Sequence, residues 1–312
     1  MKHKFLLPLL LVTLSSCNTN AFVLQKQGFL FNTPGIVLKL FEGEEKNLQD
    51  VYDILSYYDR LSDNYLARDI SNVYTINQTN DEVTVEPGLY QLLQTSISVS
   101  EVAKNYNALC GSLSKKWKES LAKKEVLSQT VIDEELNKMN LTSISFLDDN
   151  KVKRSGESEI DLGGIAKGYA LDKTLDYLQE NELKHYLLNA GSSSILLGEK
   201  TSDNGFFTIQ LEEIPSKFLK LKNCFISTSS ISKQGVKIGD TTYSHIINPS
   251  NGSAINVNDA VIVVTQSGYL GDALSTSMMN NTIEEIEILE STLDVKTIVI
   301  KNKAIIHNTI EE

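Results

Sequence analysis

The chain has 312 residues, 41% of them hydrophobic, enough to bury a sizeable core in one large domain or two small ones. Its 40 acidic residues outnumber 29 basic ones for a net charge of −11, and no Lys/Arg-rich tract stands away from the N-terminus. That balance argues against a nucleic-acid partner.

Lys2 and Lys4 precede an apolar run from Phe5 to Leu14, small residues and Cys17, the order of a secretion signal. The run is about ten residues, well short of the roughly 20 that span a bilayer as a helix, so cleavage is expected. Leu14-Ser15-Ser16-Cys17 resembles the bacterial lipobox, in which the cysteine becomes a lipidated first residue. The other reading is an ordinary signal with a chance cysteine. The expected organisation is a signal peptide over 1–16, a lipidated tether over 17–27 and one domain over 28–312. Removing the leader takes away two lysines and no acid, so a lipid rather than charge must hold this acidic body at an acidic membrane. Cys110 and Cys224 remain, too few for a disulfide framework or metal site. Buried free thiols are expected, with a single bridge as the alternative.

Beyond the tether, Leu48, Val51, Tyr52 and Leu55 share one face of an expected helix, which "SYYDRLSDNY" (56–65) follows as a polar, aromatic-rich loop. "NVYTI" and "EVTVE" read as short strands, and another helix starts after Pro87. "DLGGIAKGYALD" (161–172) opens a helix whose face carries Gly164, Gly168, Leu171, Leu175 and Leu178. "KHYLLNAG", "GFFTIQL", "CFIST", "YSHII", "DAVIVVT" and "VKTIVI" are strand candidates by their β-branched and aromatic content. Helices and strands mix without strict alternation, which predicts a single α+β layered domain rather than a doubly wound sheet.

Three stretches carry chemistry. The glycines of 161–172 cost helix stability, up to about 1 kcal/mol each relative to alanine. Close helix–strand packing is one compensation, with Asp161 as a simple N-cap. The other is an anion such as a phosphate at the exposed backbone, with Lys167 supplying charge. In "YLGDALSTSMMN" (269–280), Asp272 and Thr276 stand four apart on an expected helix, a hard-oxygen pair suited to Mg²⁺ or simply a solvated face. In "YSHIINPSNG" (243–252), His245 stands at a loop start where acid/base groups are presented, whereas His185 reads as structural.

Taken together and in order, "DLGGIAKGYALD", "LNAGSSSI" (188–195), "STSS" (227–230) followed by "YSHIINPSNG", and "VIVVTQSGYLGDALST" (261–276) resemble the FAD:protein FMN transferases of the ApbE family. Weaker similarity runs upstream through "SYYDRLSDNYLARDIS" and "NYNALCGSLSKKWKE", and the serine-rich "NAGSSSI" is similar to a Gram-positive lipoprotein branch. The resemblance implies an ApbE, T-fold-like domain that transfers FMN from FAD to a Thr or Ser hydroxyl of an extracellular acceptor protein. Mg²⁺ would be required and AMP released, with the enzyme lipid-anchored on the outer face of the cell membrane. It also implies roles for residues. Asp161, Lys167, Tyr58 and the segment Asn105, Tyr106 and Asn107 would contact FAD, as would the backbone of Ile247. Phe31, with Asn32, replaces the first residues of the family's Met-Gly-Thr at the nucleotide edge. Gly164, Asp272 and Thr276 would surround the metal, and His245 would act as general base. The chain has Asn248 where Asp is usual and Ser230 where Gly is common, neither removing an implied ligand. Two other functions remain open: an FAD pyrophosphatase on the same fold, releasing free FMN and AMP, and a nonenzymatic flavin-binding lipoprotein. No acceptor motif of the Asp-Gly-x-Thr/Ser-x-Ala-Thr type occurs in the chain, which argues against self-modification.

Overall fold

The computed structural model describes residues 22–232 and 234–310. The expected signal peptide and Cys17 lie outside the described residues. In chain order the elements are strands β1 (Leu24–Leu30) and β2 (Thr33–Leu40), helices α1 (Glu45–Ser62) and α2 (Val73–Asn77), strand β3 (Glu82–Thr84), and helices α3 (Pro87–Val102), α4 (Gly111–Ala122) and α5 (Gln129–Lys138). Then follow β4 (Ile144–Leu147), β5 (Lys151–Arg154), α6 (Ala166–Glu180), β6 (Tyr186–Ala190), β7 (Ser194–Leu197), β8 (Phe207–Gln210), β9 (Phe218–Leu221) and β10 (Cys224–Ser230). The chain ends with β11 (Val236–Ile238), β12 (Thr241–Tyr243), β13 (Ala260–Thr265), α7 (Gly268–Met278), α8 (Ile283–Leu293), β14 (Lys296–Lys301) and β15 (Ala304–Asn308). Among the described residues no helix is long and apolar enough to cross a membrane.

An eight-stranded sheet in the order β1-β2-β6-β7-β10-β13-β14-β15 forms the centre, with every adjacent pair antiparallel. Alternation along the strands divides its side chains between two cores. Ile36, Leu38, Leu188, Leu196, Val261 and Val263 pack with Leu55 of α1, Leu171 of α6 and Leu274 of α7. Leu187, Ile195, Leu197, Ile226 and Ile262 point the other way, against Phe207, Ile209 and Leu219 of the β8–β9 hairpin. The fold is α+β, as expected, and the sheet's helical side carries the chemistry.

Several elements depart from the sequence reading. Strand β1 begins at Leu24, inside the stretch assigned to the tether. It pairs with β2 through a two-residue turn in which Phe31 and Asn32 both have φ near 50° (53° and 52°), the left-handed pair that suits a hairpin's twist. "SYYDRLS" continues α1 instead of forming a loop, because Leu55, Tyr58 and Leu61 extend the buried stripe begun by Leu48 and Val51. "NVYTI" is helical: the Asn72 side chain accepts from the Thr75 N–H while Thr75 Oγ1 faces the Asn72 N–H, and this capping box overrides the β-branched composition. "YSHII" stops being a strand at Tyr243, which leaves Ser244–Ile247 irregular. Cys110 and Cys224 are free thiols.

Helix α6 starts at Ala166, so Gly164 lies in the turn before it, and Ile165 rather than Asp161 is the N-cap. Gly168 is a packing residue. A Cβ there would lie 2.0 Å from the carbonyl oxygen of Gly268, and one on Gly268 would lie 2.3 Å from the oxygen of Gly168. The two glycines let α6 and α7 cross backbone to backbone, a helix–helix contact rather than the helix–strand packing offered as one of the two readings. Asp172 fastens the crossing by accepting from the Gly268 and Tyr269 N–H groups at 2.8 and 2.7 Å. Burial pushes its pKa up to about 6. Gly168→Ala is accordingly expected to cost stability at the upper end of the roughly 1–3 kcal/mol typical of overpacking. Chemical denaturation checks this, and an unfolding midpoint equal to that of the unsubstituted chain would show that the helices can part at no cost.

Candidate active site

The structure contains a cleft of about 1360 Å³, larger than the roughly 300–1,000 Å³ of an ordinary small-molecule pocket. Its walls come from the β1–β2 turn at Phe31 and Asn32, the Asp63–Leu66 loop, Asn105–Asn107, and Trp117 and Lys118 of α4. Asp161–Gly164, Lys167, Ser192–Ser194, Thr228–Ser230, His245–Ile247 and the α7 residues Asp272, Ser275 and Thr276 also line it, as do Gln25, Gln27, Val37 and Lys39 of β1 and β2 and the segment 209–213. Phe31, Asn105, Tyr106, Asn107, Asp161, Gly164, Lys167, His245, Ile247, Asp272 and Thr276 thus converge on one cavity from segments far apart in sequence.

Tyr58 does not join them. Its side chain is in the core, edge-on to Tyr169 at 5.4 Å and Tyr57 at 5.2 Å between ring centroids, because it falls on the buried stripe of α1. The aromatic that lines the cleft from this region is Tyr65, with Lys118 Nζ 4.3 Å from its ring centroid. An Asx turn places it: Asp63 Oδ1 accepts from the Tyr65 and Leu66 N–H groups. The pair Asp63-Asn64 is the sequence signal for that turn.

Asn105 borders the cleft, yet its amide is committed to the protein. Nδ2 faces the Asn280 carbonyl at 3.3 Å and Asn281 Oδ1 at 3.2 Å, and Oδ1 accepts from Ser250 Oγ at 2.9 Å. Its side chain therefore ties the 105–107 segment to the end of α7 and to the loop after His245. Tyr106 lies against Gly164, where a Cβ would come within 3.1 Å of the ring. Asn107 Oδ1 accepts from the Leu109 N–H at 2.8 Å. Phe31 is held by its own N–H, which donates to Asp59 at 2.6 Å.

Two backbone N–H groups of the glycine-rich stretch are taken up by carboxylates of the protein. Asp161 accepts from the Gly163 N–H at 2.8 Å, and Asp272 Oδ2 accepts from the Gly168 N–H at 2.7 Å. Burial raises the pKa of Asp161 against the opposing pull of that N–H, Lys115 and Lys118. Burial likewise raises that of Asp272, opposed first by the Lys167 charge and then by Ser227, Ser194 and the Gly168 N–H.

His245 stands on the irregular segment between β12 and β13. Ile247 behind it packs with Trp117, Leu113 and Ala254, and Trp117 also donates to the Gly252 carbonyl at 2.8 Å. Though exposed to cleft solvent, the imidazole sits among protein walls. That burial, and then the Lys167 ammonium, lower its pKa to about 4, so the ring is neutral at neutral pH. His185 lies elsewhere, its Nδ1 paired with the Glu199 carbonyl at 3.0 Å, the structural role expected of it.

The oxygen set around α7 fits a small hard cation. A Cβ on Gly164 would lie 3.2 Å from Thr276 Oγ1, so the Gly164 backbone closes on that hydroxyl, with Asp272 one turn earlier. Among the described residues no group of three or more His, Cys, Asp or Glu side chains converges. A cation here would have few protein ligands, as Mg²⁺ does when waters and phosphate oxygens complete its octahedron.

The ApbE family model matches residues 35–299. This chain belongs to the ApbE family. Among curated ApbE relatives, the FAD:protein FMN transferase of Klebsiella pneumoniae is 27% identical over 290 residues, 87% of each chain. That of Treponema pallidum is 24% identical over 262 residues, 74% of this chain and 70% of its own. The fold is also that of solved ApbE structures. The ApbE protein of Thermotoga maritima superposes with a TM-score of 0.80 at 20% identity, covering 93% of this chain and 100% of its own. The flavin transferase ApbE of Vibrio cholerae gives 0.73 at 20% identity, covering 91% and 96%.

Proposed function

We propose that this chain is a Mg²⁺-dependent FAD:protein FMN transferase acting on a Thr or Ser hydroxyl of an extracellular acceptor. The observation that carries the reading is the meeting of a neutral His245 with the Gly164, Asp272 and Thr276 oxygens across one dinucleotide-sized cleft, with the Lys167 charge acting on both His245 and Asp272. The acceptor oxygen attacks the FMN phosphorus, the bridging P–O bond of the pyrophosphate breaks, and AMP leaves. The hydroxyl proton passes to the neutral ring nitrogen of His245. A base of low pKa is weak, but its unprotonated form is fully populated at neutral pH, and the alcohol becomes acidic as its oxygen bonds to phosphorus. Lys167 places a positive charge where the phosphates must lie. Mg²⁺ held by Asp272, Thr276 and the Gly164 carbonyl would neutralise phosphate charge, the dominant need in phosphoryl transfer.

Incubation with FAD, MgCl₂ and a domain bearing a Thr or Ser flavinylation motif tests this directly. The acceptor should gain the mass of FMN as a phosphoester in step with AMP release. AMP with free FMN and an unmodified acceptor would make the chain a pyrophosphatase, and FAD binding without AMP would make it a flavin carrier.

Membrane attachment through lipid on Cys17 completes the proposal and rests on the lipobox-like residues alone. Cys17→Ala should move the protein from the membrane fraction to the medium, or leave an uncleaved precursor. A processed variant that stays in the membrane fraction would rule the anchor out.

A further inference from the structure

Asp272 is bonded asymmetrically. Its Oδ1 accepts from Ser194 Oγ at 2.7 Å and from Ser227 Oγ at 2.6 Å, while Oδ2 accepts from the Gly168 N–H. A carboxylate offers about four lone-pair sites in all, so Oδ1 is filled and Oδ2 retains about one. Satisfying a buried acid requires donors, but it does not require two hydroxyls on the same oxygen.

The arrangement is built into the sheet. Ser194 of β7 and Ser227 of β10 are directly opposed in the antiparallel register, and both are buried. Directly opposed side chains on one face lie about 4.5–5.5 Å apart at Cβ, close enough for two hydroxyls to converge on one acceptor. Two residues along β10, Ser229 Oγ lies 3.0 Å from Ser275 Oγ and 3.4 Å from Thr276 Oγ1. Two strand residues advance about 6.7 Å and four helix residues about 6 Å. Serines at i and i+2 on β10 therefore keep step with Asp272 and Thr276 at i and i+4 on α7. "NAGSSSI" and "STSS" supply the two halves of this support.

We propose that Ser194 and Ser227 are specificity-determining positioning residues that, by filling Oδ1, restrict Asp272 to one metal-facing oxygen and thereby select Mg²⁺ over Ca²⁺. The inference rests on the reading of Asp272 and Thr276 as cation ligands. Mg²⁺ needs a near-ideal octahedron at about 2.0–2.1 Å and is content with single carboxylate oxygens. Ca²⁺ takes about 6–8 oxygens at roughly 2.3–2.6 Å, commonly with both oxygens of one carboxylate. With Oδ1 occupied, the second mode is closed.

Calorimetric titration of MgCl₂ and of CaCl₂ into the protein, alone and with ADP as a pyrophosphate that carries no FMN, reads this without any turnover. The unsubstituted protein should bind Mg²⁺ at least about tenfold more tightly than Ca²⁺. The double variant Ser194→Ala/Ser227→Ala should lose about tenfold or more of that ratio, within the 10–100-fold that partners of metal ligands typically control. Ser194→Thr and Ser227→Thr, which keep the hydroxyl, should restore it. Equal affinity for the two ions in the unsubstituted protein overturns the inference with no variant needed. So does an unchanged ratio in a double alanine variant whose unfolding in EDTA matches that of the parent. Binding of neither ion would overturn both this inference and the cation site beneath it, whereas Mg²⁺ preference in the unsubstituted protein that falls in the double alanine variant, with no FMN transfer by the unsubstituted protein, would overturn the proposed activity alone.

Discussion

Asp272→Ala is expected to abolish flavin transfer at ordinary Mg²⁺. Of the three groups assigned to the cation, Asp272 is the carboxylate and the others are a hydroxyl and a carbonyl, so removing it takes the formal negative charge out of that set. The substitution also strands Ser194 Oγ, Ser227 Oγ and the Gly168 N–H, each buried and each donating to Asp272. An unmet buried donor costs about 1–3 kcal/mol, although the alanine variant also escapes the cost of burying a carboxylate. Asp272→Asn separates the two effects, since its amide oxygen can still accept while the charge is gone. Both variants should lose single-turnover AMP release, and the asparagine variant should keep an unfolding midpoint in EDTA close to that of the parent. Activity that stays unchanged across a magnesium titration in either variant would rule this site out.

The parts of the fold that were legible are those in which local composition and tertiary demand agree. Strands β6, β10, β13 and β14 lie between two cores, and their β-branched, aromatic and aliphatic residues fit the nearly continuous burial they meet there. The hairpin β1–β2 was missed because Gln25, Lys26 and Gln27 carry no strand signal and one of its faces borders the cleft. The helical fate of Asn72–Ile76 was hidden because one capping box decides a five-residue element against its β-branched content. Tyr58 and Tyr65 show the same difficulty at the level of a site. Periodicity places Tyr58 in the core once α1 is known to continue, but only the Asp63 turn reveals which way Tyr65 points.

In the glycine-rich stretch Asp161–Asp172, Gly168 bears out close packing, of helix on helix rather than helix on strand. Gly168 serves packing, because only a residue without Cβ lets α7 approach. That same approach delivers Asp272 to the Gly168 N–H, so the close crossing builds the candidate metal site. Spacing alone could not reveal this, because the partner glycine, Gly268, lies a hundred residues on, and the serines that support Asp272 come from two further strands. The individual groups were legible in sequence, whereas the hydrogen bonds orienting them required the sheet register.

His245→Ala should bind FAD almost normally and transfer FMN slowly. A positioned general base is typically worth about 10² to 10⁴ in rate, and nothing in that role requires His245 to hold the ground state. Lys167→Ala should do the reverse in part: a cation beside the phosphates stabilises bound FAD as well as the transition state, so its loss should weaken FAD affinity along with turnover. The pH dependence supplies a signature that a structural role would not. Burial and Lys167 lower the His245 pKa to about 4, so the neutral, competent form persists through neutrality and is lost only as pH falls through that value. The free-enzyme profile of kcat/KM should therefore be level from about pH 8 down to about 5 and then fall, with one added proton contributed by His245. In His245→Ala the residual rate should lack that proton's contribution to the acid limb. FAD affinity by flavin fluorescence and single-turnover AMP release at matched pH measure both effects. Transfer at the parent's rate in His245→Ala would eliminate the histidine as base, and a metal-activated acceptor hydroxyl would become the better account.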